Sequence, residues 1–197
     1  MGEVPADMPV FPSLGENVCL EFLNSEWGDF RGRFRADYLL NPAWLQAFLK
    51  RWDLQVTDPS TPATVAVLQE LRTHMRHIIE ALPASDPSPD DLDMLNAILL
   101  RASSKRRLVW RDQKYEWEEV VPSRDWQWVI GEIAAAFANL LVGCDHRRLK
   151  ICANPYCRSY FYDKSKSRTQ HWCFSKCANL WRTRRFRARR KKEGDSF

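Results

Sequence analysis

Four cysteines near the C-terminus are the residues whose spacing could do chemistry. Cys152 and Cys157 are separated by four residues, and Cys173 and Cys177 by three, with a fifteen-residue loop between the pairs. Two close pairs joined by a loop suit a tetrahedral ion, because each pair brings two sulfurs to one metal and the loop lets the pairs converge. Four thiolates leave no open coordination position, so one Zn2+ held there is structural and not catalytic. Asn154-Pro155 favours a tight turn within the first pair, and Cys173 and Cys177 can share one turn at the start of a helix. Two disulfides, or unrelated free thiols, are the alternative. Paired spacing in a chain that reads as cytosolic favours metal. His171, two residues before Cys173, is the one substitute ligand. Cys19 and Cys144 sit in apolar helical settings and read as buried residues.

The ligands are interleaved with Tyr156, Tyr160, Phe161, Tyr162, Trp172 and Phe174, which would form a miniature core. Tyr160 or Tyr162 could instead stack on a base. Behind Cys177 no Pro or Gly interrupts the chain until Gly194, and Arg182, Arg184, Arg185, Arg187, Arg189, Arg190, Lys191 and Lys192 follow. Lys164, Lys166 and Arg168 add a basic patch in the loop between the pairs. Like charges at helical spacing repel, and a polyanion would relieve that cost. A solvated, fraying basic tail is the plain alternative. The candidate nucleic-acid contacts are therefore Lys164, Lys166, Arg168, Asn179, Arg182, Arg184, Arg185, Arg187, Arg189 and Arg190.

Charge separates this tail from the rest. The whole chain of 197 residues carries +5. Residues 145–197 hold 16 Lys/Arg and 4 Asp/Glu, a net +12; the other 144 residues hold 14 and 21, a net −7. A basic tail on an acidic body points to a polyanionic partner for the tail alone. The acidic, proline-containing N-terminus lacks the pattern of a signal peptide, and no run of eighteen apolar residues occurs. The expectation is a cytoplasmic, nucleoid-associated protein that does not enter a membrane.

The elements that must carry these residues are mostly helical. Spacing predicts helices over 14–26, from Asn41-Pro42 to about Trp52, from Thr61-Pro62 to just before Pro83, from Ser88-Pro89 onward, and from Ser123 to about Val142 with Gly143 as cap. Residues 28–35 read as a loop and 85–89 as a linker. Alternation over 107–121 predicts a β-hairpin around Arg111-Asp-Gln-Lys114. The expected class is α+β. A mainly helical domain with a short hairpin spans 1–144. A small four-cysteine finger, treble-clef-like or zinc-ribbon-like, with a basic helix spans 145–193, and a tail covers 194–197. Gly-rich phosphate loops, nucleophile elbows and repeats are missing from the sequence, and the reading is of a protein without catalytic activity.

The order C-x4-C, Phe161-Tyr-Asp163-Lys-Ser165, Trp172-Cys173-x3-Cys177 and an arginine-rich helix resembles the CGNR zinc finger. Upstream, Leu20-Glu-Phe-Leu-Asn24-Ser25, Asp37-Tyr-Leu39 and Glu70-Leu-Arg72 resemble the ABATE domain of stress-induced bacterial transcription regulators. The resemblance implies zinc at Cys152, Cys157, Cys173 and Cys177, and binding to nucleic acid, double-stranded DNA first. The tetrad that names the finger reads Cys177-Ala178-Asn179-Leu180 here. Alanine for glycine favours helix, and leucine for arginine removes a cation, which shifts the expected contact surface to Arg182 and its successors. A regulator of this plan would also sense a small-molecule effector, with Asn24 and Arg72 as candidate ligand residues, and could form a homodimer. An interhelical hydrogen bond and an exposed arginine are the plainer readings of those two. His74 and His77, three apart, could share a metal or act as a pH switch, and surface histidines are the plainer reading. The competing classes are an RNA- or ribosome-associated binder, a protein-interaction finger, and an enzyme in the body domain.

Overall fold

The structure, a computed structural model, describes residues 17–101, 105–120 and 123–194. It resolves into two compact units. One joins the N-terminal segment through Tyr38 to the segment from Cys144 onward; the other is Leu39–Gly143.

The first unit opens with α1 (Val18–Leu23), capped by Asn17, whose side chain accepts from Cys19 N–H at 2.9 Å. Such a cap satisfies a donor that the first helical turn leaves over. The helix ends before the expected Glu26, because the chain turns at Asn24 into a strand pair; residues 14–16 of the expected helix lie outside the described residues. Strands β1 (Glu26–Gly28) and β2 (Arg35–Asp37) are antiparallel, with Trp27 opposite Ala36. Two other short strands, β5 (Leu149–Ile151) and β6 (Tyr160–Tyr162), pair antiparallel, with Ile151 opposite Tyr160. The unit ends in α6 (Ser175–Gly194). Its core holds Leu20, Phe22, Leu23, Trp27, Tyr38, Leu149, Tyr160 and Phe161. Cys19 is fully buried, while Cys144 is only half-buried.

The second unit is built on helices α2 (Pro42–Arg51), α3 (Pro62–Ala81), α4 (Pro89–Arg101) and α5 (Trp126–Gly143). Asn41 caps α2, and Thr61 with Thr64 forms a reciprocal capping box on α3; proline occupies the first turn of both. The start of α5 lies three residues beyond the expected Ser123, because Asp125 takes the cap position and accepts from Trp128 N–H at 2.9 Å. Gly143 is the last helical residue and not a cap. Helix α3 packs on α4 and α5. The core is Leu45, Phe48, Leu68, Leu71, Met75, Ile78, Ile79, Leu95, Val129, Ile133 and Phe137. Helix α5 reaches a mean hydropathy of 1.2 over 18 residues, long and apolar enough by composition to cross a bilayer. Here it buries Val129, Ile133, Ala134 and Phe137 in the unit's own core.

Strands β3 (Lys105–Arg111) and β4 (Lys114–Val120) form the expected hairpin. Its two-residue turn, Asp112-Gln113, has φ of 51° and 60°, the left-handed pair that matches strand twist. Leu108 lies opposite Trp117, and Trp110 opposite Tyr115, and all four are exposed. Val121, at the end of the expected hairpin, lies outside the described residues.

Candidate metal centre and basic helix

The backbone between Cys152 and Cys157 folds into a knuckle. Cys157 N–H and Arg158 N–H both donate to the Asn154 carbonyl at 3.0 Å, and Cys152 N–H donates to the Ser159 carbonyl at 2.8 Å. Arg158 takes a φ of 47° to close the turn. Asn154 is buried and does more than precede a proline. Its amide donates to the Phe30 carbonyl at 2.8 Å and points at Cys177 Sγ from 3.5 Å. Cys173 precedes α6, and Cys177 lies in the helix's first turn, as the spacing predicts.

The four sulfurs lie within 4.8 Å of one another and all four residues are buried. Cys157 and Cys173 are 3.6 Å apart and Cys173 and Cys177 4.0 Å apart, sulfur to sulfur. A tetrahedron with Zn–S of about 2.3 Å has edges of roughly 3.8 Å, so these separations suit one ion. They are nearly twice the ~2.05 Å of a disulfide, and none of the six cysteines is in a disulfide. Hydrogen bonds from Cys152, then Cys173 and Cys177, drive the Cys157 thiol down, and Ser159 Oγ adds a contact at 3.1 Å. Proximity to Cys152 and then Cys157 drives Cys173 up. Four sulfurs this close cannot all be thiolates unless a cation neutralises them. The donor set therefore fits one structural Zn2+, which would cross-link the knuckle to the start of α6. His171 stands outside the cluster; its carbonyl accepts from Ala153 N–H at 2.8 Å.

Asp163 locks the loop between the cysteine pairs, and its role emerges only from the geometry. The residue is completely buried. Its carboxylate accepts from Lys150 Nζ at 2.6 Å, Ser165 Oγ at 2.6 Å, Ser165 N–H at 2.9 Å and Gln170 N–H at 3.0 Å. Burial pushes this carboxyl up, but Lys150 and these hydrogen bonds outweigh it and hold it well below the usual carboxylate range. Lys150 also donates to the Arg168 carbonyl at 2.5 Å, and Arg148 donates to the Asp163 and Ser165 carbonyls, each at 2.8 Å. The spacing of Phe161, Asp163 and Ser165 is thus the spacing of a loop clamp.

Asn24, proposed from sequence as a ligand residue, lies in this unit as a buried clasp. Its amide donates to the Leu20 and Tyr160 carbonyls at 2.8 and 2.9 Å, and its oxygen accepts from Tyr160 N–H at 2.8 Å. The strand ladder shows why this is needed. Cys152 with Ser159 and Arg148 with Asp163 make ladder bonds, so alternation turns the Tyr160 N–H and C=O away from β5. Asn24 satisfies both groups on that outer edge. Arg72, the other candidate, belongs to the second unit and is buried on α3. That unit holds a cavity of about 630 Å³ lined by Leu45, Leu49, Lys50, Val56, Asp58 and Trp126 among others, but not by Arg72.

Tyr156 is another residue whose use was not legible beforehand. A Cβ on Gly28 would meet its carbonyl oxygen at 2.5 Å, and a Cβ on Gly32 would meet its ring at 2.3 Å. Both glycines therefore permit the β1–β2 hairpin to approach the knuckle, and Gly32 also has a φ of 79°. The Arg184 guanidinium lies over the Tyr156 ring at 4.9 Å from its centroid. Arg184 is accordingly half-buried, while Arg182, Arg185, Arg187, Arg189 and Arg190 are exposed. Arg182, Arg185 and Arg189 share one helix face by their i, i+3, i+7 spacing. Asn179 is exposed, its carbonyl accepting from Thr183 Oγ1 at 3.0 Å. Lys164 and Lys166 are exposed on the clamped loop, and Arg168 pairs with Asp145 at 3.0 Å. Tyr160 and Phe161 are core residues, which leaves no face of Tyr160 for a base.

Comparison with known families fits this geometry. Residues 16–143 match the ABATE model, described as "Putative stress-induced transcription regulator". The chain belongs to the ABATE family. Residues 148–190 match the CGNR zinc finger, and this span contains all four cysteines, Lys150, Asp163 and most of α6. Among curated proteins, none matches the chain. In the terms of these families, the thiolate cluster is the metal site of a CGNR finger, and α1 with the β1–β2 hairpin is the part of the ABATE match that packs into the same compact unit as that finger.

Proposed function

We propose that this ABATE-family chain is a DNA-binding transcription regulator that acts in the cytoplasm at the nucleoid and performs no catalysis. One observation carries the reading: the cysteine knuckle launches a helix that exposes five arginines and no described acidic side chain. Five of the candidate contacts on α6, Arg182, Arg185, Arg187, Arg189 and Arg190, are exposed. Lys164 and Lys166 extend this basic surface on the loop that Asp163 clamps. Flexible arginine side chains on a rigid base suit duplex phosphates, which contribute affinity without much sequence information. One or two of them reaching guanine in the major groove would supply specificity. Leu180, half-buried where the family tetrad has arginine, takes no part in this surface.

The second unit is the sensing part in this reading. Its cavity, largely apolar with Lys50 and Asp58 at the lining, is the place for a small-molecule effector. Homodimerisation would set two basic helices on one duplex. Selection of bound sequences from random duplex DNA, with single-stranded RNA as competitor, tests the central part. Enrichment of a duplex motif that survives the RNA supports it. Preferential binding of the RNA would replace it with an RNA-associated role.

A further inference from the structure

Outside the finger, His74, His77 and Asp91 place their ligand atoms within 4.8 Å of one another. His74 and His77 are one turn apart on α3, and Asp91 is in the first turn of α4. Both histidines turn Nδ1 towards the same carboxylate oxygen. His74 Nδ1 lies 2.6 Å from Asp91 Oδ1, and His77 Nδ1 lies 3.4 Å from it. The rings are edge-on to each other, with centroids 6.2 Å apart. Asp91 is 8% exposed at the side chain, His74 25% and His77 57%, so the cluster is anchored inside and open at one edge.

Surface histidines carry no such convergence. Three ligand atoms on one ion at about 2.0–2.2 Å would stand roughly 3.3 Å apart in a tetrahedron. The His77–Asp91 separation already has this value. The His74–Asp91 contact must open by somewhat under ~1 Å, which rotation of an imidazole supplies. We propose that His74, His77 and Asp91 form a second metal site, distinct from the cysteine cluster, for a divalent ion of the zinc class. Two imidazoles and one carboxylate suit zinc, cobalt, nickel or copper and not calcium or magnesium. The fourth position faces the exposed side of His77 and belongs to water or an exogenous ligand. The bound ion takes the place of the proton that His74 shares with Asp91. It ties α3 to α4 across the 82–88 connection. The site stands on its own geometry and does not rest on the nucleic-acid reading. The other two histidines of the chain, His146 and His171, lie in the other unit.

The test uses untagged full-length protein with its cysteine site filled with zinc. Zinc is then added under equilibrium dialysis with free zinc buffered in the micromolar range, and metal per chain is measured. Wild type is expected to hold two zinc ions per chain. His77→Gln, a change at an exposed position, and Asp91→Asn are expected to hold one, with the second site weakened at least tenfold. Cobalt added to the same zinc-filled protein gives an independent reading: one equivalent binds with ligand-field absorption and without thiolate-to-metal charge transfer. A wild-type protein that stops at one ion, or variants that keep the second ion with unchanged affinity, would overturn the proposal.

Discussion

Replacing Asn24 with alanine should loosen the zinc finger, although Asn24 is 136 residues from its strand partner. The side chain makes three hydrogen bonds, two of them to Tyr160, and the residue is buried. In Asn24→Ala the Leu20 carbonyl keeps its bond from Asn24 N–H at 3.2 Å, so little is lost there. The Tyr160 N–H and C=O lose their Asn24 bonds in a buried setting. Each unsatisfied buried group costs about 1–3 kcal/mol, giving about 2–6 kcal/mol for the pair. A domain is stable by only about 5–15 kcal/mol, so this is a large fraction. Because metal binding and folding of small zinc modules are coupled, the loss should also weaken zinc retention, by at least about tenfold. Urea unfolding followed by tryptophan fluorescence reads the first quantity, and competition with a chromogenic chelator reads the second. Asn24→Asp keeps an acceptor but removes both donors and should fare no better. If Asn24→Ala changes stability by less than about 0.5 kcal/mol and leaves zinc retention intact, the clasp is not structural.

Other outcomes follow from the same geometry. Cys157→Ser should lose the zinc that the wild type carries and unfold the finger, as read by metal analysis and circular dichroism. Asp163→Asn should cost about 1.5–3 kcal/mol through its charge-assisted bonds. Its pH dependence has a definite sign. The folded-state carboxyl lies below its ordinary value of 3.8, so its contribution is complete above that value and is lost as pH falls towards the lowered one. Acid unfolding curves of Asp163→Asn should therefore lack that part of the acid limb. Gly28→Ala should destabilise by about 1–3 kcal/mol, because the added methyl meets a backbone oxygen that cannot rotate away. Thermal melts of the zinc-loaded protein check this.

Much of the chemistry was legible before any coordinates. Paired cysteines announce a metal by spacing alone, since both pairs are local. The helices of the second unit announce themselves through Asn41-Pro42, Thr61-Pro62 and Ser88-Pro89, where cap and proline agree with apolar period. The first unit hid its organisation for a physical reason. Strands of three residues, Glu26–Gly28 and Tyr160–Tyr162, are too short to show alternation. Asn24 and Asn154 act on partners far along the chain, and such pairings leave no local mark. Gly28 and Gly32 read as loop punctuation, yet what requires them is Tyr156, which arrives from the other end of the molecule's sequence. Two helix starts do carry a local mark: Asn17 before an apolar run, and Asp125 before Trp126, are both ordinary cap positions.

The most direct test of the nucleic-acid role is salt dependence. Fluorescence anisotropy of a labelled random duplex should be measured with zinc-loaded protein across a range of salt concentrations. Five exposed arginines on α6, each displacing counterions from one phosphate, give a slope of log K against log[salt] of about −4.5, from ~0.9 per contact. Arg182→Glu, Arg185→Glu and Arg189→Glu together should flatten that slope and weaken binding while leaving the zinc in place. Association that is independent of salt, or binding that the triple variant leaves unchanged, would contradict a duplex-binding role for this helix.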